Sequence, residues 1–179
     1  MAETGETGPG VIGGLLERER RLIPRLEGVL FFKGEVYREI EADPHAIPQS
    51  MAVVVATSVL AALGQGGPVS IFIGLAGAIL LWMAATSLVW VVARYAVDAP
   101  VEFSKLLRCT GFAYAWFALE LLTALPLVGE IFAWLAVALV LSSFVVATRE
   151  VLEIDTSRAA LICAVALGVP MVVLVWIGG

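Results

Sequence analysis

The sequence predicts an all-α fold: a polytopic membrane bundle of five transmembrane helices, preceded by a short amphipathic cytoplasmic helical region. Three observations predict it. The chain is 60% hydrophobic and 15% charged, with a mean hydropathy of +0.96, whereas a soluble domain sits nearer half apolar and a quarter charged. Its charges are unevenly placed, for residues 44–93, 131–148 and 159–179 contain no Asp, Glu, Lys or Arg. Finally, all 11 Lys and Arg residues fall on one side of a membrane if five spans alternate.

Taken in order, residues 1–14 are polar and glycine-rich and read as a disordered tail. No signal peptide is expected, because the first long apolar run begins only near Ile47. Residues 15–46 form the cytoplasmic helical segment. Here Leu22, Ile23, Leu26, Val29 and Leu30 recur at helical spacing among charged residues, which suits a helix lying on the inner membrane surface or packing under the bundle. Pro24 interrupts that pattern, so one helix and two short helices are equally compatible with it. A second short helix over residues 34–43 should stop at Asp43, since the residue before Pro44 is disfavoured in helical conformation.

The membrane domain covers residues 47–179. A hydrocarbon core of ~30 Å needs ~20 apolar residues at 1.5 Å each. The first uncharged run therefore supplies two crossings, 47–63 and 68–93, separated by the Gly64–Gly67 turn. The remaining spans are 106–125, 128–148 and 159–177, and span two could continue as helix past Arg94. The basic residues before span one, between spans two and three, and between spans four and five all face the same compartment. Lys and Arg concentrate in short cytoplasmic loops, so the amino terminus is expected inside and the carboxyl terminus on the opposite side. In a bacterium that membrane would be the plasma membrane.

The charged and polar residues offer few chemical motifs. Glu35, Glu39, Glu41 and Asp43 could in principle offer oxygens to a cation. They point over a wide arc and Arg38 competes as a partner, so an ion-paired, solvated face is the expectation and no metal site is assigned. His45 is a lone histidine in a boundary loop, and Cys109 and Cys163 lie near inner span ends, where they should stay reduced. No HExxH, GxSxG or phosphate-binding glycine loop occurs. Neither enzymatic activity nor a cofactor is therefore expected. The dispersed basic residues and net charge of −5 exclude a nucleic-acid footprint. Gly74 and Ala78 give span two a small-residue strip that permits close helix approach.

One carboxylate stands inside a span. Glu120 lies about four residues past the middle of span three, roughly 6 Å toward the outer face. An ionised carboxylate there costs about 2.5–3.5 kcal/mol even on lenient insertion scales. The expectation is a carboxyl turned into the bundle, mostly protonated, and hydrogen-bonded to Thr57, Ser58 or Thr123. On an α-helix Glu120 shares a face with Ala113, Trp116, Phe117 and Thr123.

The stretch "EVYREIEADPHAIPQSM", residues 35–51, resembles bacterial members of the Yip (Ypt/Rab-interacting) family of membrane proteins. Its signature residues here are Tyr37, Arg38, Glu39, Glu41, Asp43 and Pro44, followed by Gly111 and Tyr114 in "RCTGFAYA" at the start of span three. "REVLEIDTSRAA", residues 149–160, joins spans four and five in the family manner. The resemblance covers roughly Arg25 to the carboxyl terminus. It departs in one place, where Trp116 occupies the neighbourhood of a proline common in the family. It implies five spans, a cytoplasmic amino terminus and, in eukaryotic relatives, interaction with small prenylated GTPases in vesicle traffic. The expected function is a membrane scaffold or organising protein, with membrane lipid and protein partners or further copies of itself. The alternative is a small transporter, an ion- or proton-coupled permease using Glu120.

Overall fold

The computed structural model describes residues 11–65, 68–99 and 101–168. Among them every regular element is helical. α1 covers Val11–Leu30 and α2 Gly34–Ala42. Then follow α3 (Ala46–Gln65), α4 (Pro68–Ala96), α5 (Phe103–Ala113), a 3-10 helix (Tyr114–Ala124), α6 (Gly129–Leu152) and α7 (Thr156–Cys163). α7 runs on into a π turn, Ala164–Gly168. Three stretches are long and apolar enough to cross a membrane: Ala46–Leu63, Gly74–Ala96 and Gly129–Leu152. The second half of the predicted span five, and residues 1–10 of the predicted tail, lie outside the described residues.

α1 is one helix that passes through Pro24, and it starts at Val11, inside the stretch expected to be a tail. Leu22, Leu26 and Val29 turn toward the core, while Ile23 and Leu30 lie on a second, exposed stripe. Its end is a Schellman cap: Lys33 N–H donates to Gly28 O and Phe32 N–H to Val29 O. The left-handed position, usually glycine, is occupied by Phe32 at φ 53°. That conformation costs about 1–2 kcal/mol, and the Phe32 ring stacks on Trp116 at 5.6 Å, which offsets it. α6 ends the same way, with Glu153 at φ 53° and Ile154 N–H reaching Arg149 O.

Successive helices alternate in direction. Ser50, in the first turns of α3, donates to Arg108 O in the middle of α5 at 2.6 Å, ahead of the long 3-10 continuation. Trp82 and Thr86, in the second half of α4, meet Thr110 of α5 at 3.1 and 2.8 Å. Glu150, at the end of α6, meets the amino-terminal segment through Arg38. The starts of α3, α5 and α7 and the ends of α4 and α6 therefore gather at one end, which also holds α1 and α2. Gly111 makes this packing possible: a Cβ there would lie 2.5 Å from Ser50 Cβ and 2.8 Å from Trp82 Cζ2.

The predicted third span differs from expectation in its helix type over half its length. It is an α-helix only to Ala113 and a 3-10 helix from Tyr114 to Ala124. A 3-10 helix rises about 2.0 Å per residue and repeats every three. Residues 106–125 thus reach about 34 Å rather than about 28 Å. The change of period also re-sorts the faces, aligning Tyr114, Phe117, Glu120 and Thr123 in a single row.

Candidate functional site

Two polar regions stand out, one at each half of the bundle. At the charged end, Glu39 and Glu41 of α2 and Asp43 at its end are held by cations from other elements, while Glu35 is exposed. Arg25 of α1 is almost wholly buried, at 1% exposure. Its guanidinium donates to Glu39 Oε1 at 3.0 Å, Gln49 Oε1 at 2.6 Å and Asp43 Oδ2 at 2.8 Å. One side chain so ties α1, α2 and α3 together. Lys105 reaches Glu41 Oε1 at 2.8 Å, and Arg108 donates to the Glu41 main-chain carbonyl at 3.0 Å. Arg38, expected to neutralise its own helix face, instead crosses to Glu150 Oε2 at 2.7 Å, where Arg149 also donates. Tyr37 is fully buried; its hydroxyl is hydrogen-bonded to Ser143 of α6, and its carbonyl accepts from the Cys109 thiol.

The electrostatics of this latch follow from its geometry. Burial alone would raise the Asp43 carboxyl, but the His45 N–H and the Arg25 guanidinium outweigh it and hold the group below its ordinary range. The hydrogen bond to Glu41, with its charge, raises the Lys105 ammonium above its usual value. Burial pushes the Tyr37 phenol up, so it stays neutral. At the next turn the Ser157 hydroxyl and the Arg158 N–H lower the Asp155 carboxyl, which caps α7. Among the described residues no group of His, Cys, Asp and Glu is placed to hold a metal. Glu39, Asp43 and Glu41 instead spend their oxygens on guanidinium and ammonium groups.

The second region is a cleft of about 240 Å³ between α3, α4 and the 3-10 helix. Glu120 and Ser58 line it together, so the sequence-derived pair shares one space. Tyr114 and Phe117, the lower members of the same 3-10 row, supply an aromatic wall with ring centroids 5.2 Å apart. Ala61 and Ala62 of α3 and Gly74 and Ala78 of α4 leave the room, since their side chains are too short to fill it. The small-residue strip of α4 thus borders a cavity here. A Cβ on Gly74 would meet nothing within 4 Å.

The other hydroxyls expected near Glu120 are used locally. Thr57 donates to Val53 O at 2.8 Å, Ser58 to Val54 O at 2.6 Å, and Thr123 to the main-chain carbonyl of Glu120 at 2.6 Å. Their hydrogens are committed to backbone, which leaves their oxygens as acceptors. Trp116 and Ala113, placed on the Glu120 face by α-helical spacing, do not line the cleft. The 3-10 period turns Trp116 to Phe32 and brings in Tyr114. Arg25, Gln49 and Glu150 were not foreseen as partners, because their contacts span 14 to 112 residues of sequence.

Comparison of the chain with known protein families, with curated proteins and with solved structures yields no match.

Proposed function

We propose that this is a membrane scaffold or organising protein without catalytic activity, in keeping with its resemblance to the Yip family. In this reading α3, α4, the α5 and 3-10 pair, α6 and α7 with its continuation are five spans. The latched end with α1 and α2 is cytoplasmic, and the carboxyl terminus lies on the opposite side. The observation that carries the reading is the buried Arg25, which fixes α1 and α2 to the bundle instead of leaving them as a tether. The signature residues Tyr37, Arg38, Glu39, Glu41 and Asp43 are spent on the same fixation. What remains outward is a rigid face whose exposed Ile23 and Phe31 suit contact with lipid, a protein partner or a second copy.

Cross-linking in intact membranes followed by purification tests this. A specific heteromeric or homomeric adduct is expected, and recovery of isolated monomer alone would refute scaffolding. Single cysteines placed at each chain end of a Cys109→Ala, Cys163→Ala background should label from opposite compartments. The cleft beside Glu120 favours the second reading, a small transporter. Substrate-dependent flux into liposomes that Glu120→Gln abolishes would establish it in place of the first.

A further inference from the structure

We propose that the Glu120 cleft binds an organic ammonium ion carrying a short apolar body. Three features set that chemistry. A carboxylic side chain and the Ser58 hydroxyl lie on the same space, giving acceptors for an N–H donor of positive charge. Tyr114 and Phe117 line the same space as the carboxyl, with ring centroids 5.2 Å apart and planes tilted by 56°, and a cation over an aromatic face is attracted to its quadrupole, most strongly where water is excluded. The rest of the wall is alanine, glycine and leucine, which favours carbon rather than a hydrated inorganic ion. At about 30 Å³ per water-sized atom, about 240 Å³ admits roughly eight non-hydrogen atoms.

The way in is lateral. Leu81 and Gly74 of α4 line the cleft and are both exposed, and in the five-span reading α4 borders hydrocarbon. A guest therefore arrives from the bilayer, either as a hydrophobic amine dissolved in it or as the amino headgroup of a phospholipid. Both carry the same recognised group. Inside the cleft the ammonium neutralises the carboxylate, whose ionised form is costly at this depth. Its apolar body meanwhile covers the aromatic and small-residue walls.

The test uses the full chain in phosphatidylcholine nanodiscs, titrated calorimetrically with hexylammonium and with hexan-1-ol, which matches it in size without the charge. Saturable binding of hexylammonium and none of the alcohol is expected. Glu120→Gln should weaken binding about tenfold or more, the loss of one charge-assisted hydrogen bond. Gly74→Leu should abolish binding without lowering the melting temperature, because open space surrounds that position. Repeating the titration in phosphatidylethanolamine assigns the source: competition points to the lipid headgroup, and unchanged affinity to the free amine. Equal binding of the alcohol, or full affinity in Glu120→Gln, overturns the proposal and leaves an apolar void.

Discussion

The two polar regions of this bundle use charge in opposite ways. At the latched end, four acidic side chains are paired with four basic ones drawn from α1, α2, α5 and α6, and a buried arginine has a partner on each branch of its guanidinium. In the other half a single carboxylic group borders unfilled volume between small residues. Many charged groups there are packed against one another, while one carboxylic group here borders room for something else. Charge density is thus a poor guide to function in this chain, and unfilled space beside a charge is a better one.

The comparison breaks first at Arg25. Arg25→Leu leaves Glu39, Asp43 and Gln49 facing an apolar side chain. It should cost about 3 kcal/mol of stability, near the low end for breaking a buried pair because Glu39 is half exposed. Thermal unfolding in nanodiscs measures it, and a loss under about 1 kcal/mol would show that the latch does not hold the head. The same substitution at two glycines sharpens the contrast. Gly111→Ala should destabilise by about 1–3 kcal/mol, since Ser50 and Trp82 would have to give way. Gly74→Ala should stabilise by up to about 1 kcal/mol through helix propensity alone. Matching signs would mean that the cleft is closed.

A smaller gain is expected at the end of α6, where Glu153→Gly relieves a left-handed residue. Relief of about 1–2 kcal/mol of left-handed strain, less the roughly 0.4–1 kcal/mol that glycine costs through a freer unfolded chain, should leave a rise of about 1 kcal/mol or less in the same assay. The smallest effect is that of pH on the latch. The folded value of Asp43 lies below its unfolded one, so its contribution is fully present above pH ~4 and fades as pH falls through the folded value. Lowering pH from 5 to 3 should increase proteolysis within α1, and Asp43→Asn should blunt that response. An unchanged pH response in the variant would remove Asp43 from the latch.

What the sequence disclosed and what it hid divide along physical lines. α3, α4 and α6 were legible because long uncharged runs have few alternatives to a membrane helix, and the Asp43-Pro44 pair marked the end of α2 by local sterics. Glu120 and Ser58 were legible as neighbours because depth along two spans is a matter of counting. The 3-10 period was not, since residues 114–124 contain neither glycine nor proline and read as ordinary helix formers. Only tertiary packing, including the approach of Gly129 to the Thr123 carbonyl, distinguishes them. The partners of the α2 charges were hidden for a related reason. Arg38 has acidic neighbours one turn away, yet it pairs with a carboxylate near the far end of the chain.

That last pairing bears on biogenesis. Tyr37 and Arg38 leave the ribosome more than a hundred residues before Ser143 and Glu150, and contacts this distant in sequence form late. Until α6 is in place, the first two helices are held by their contacts with other elements, those with α3 and α5 through Gln49, Lys105 and Arg108 among them. Docking of the amino-terminal pair is thereby completed only once α6 is in place.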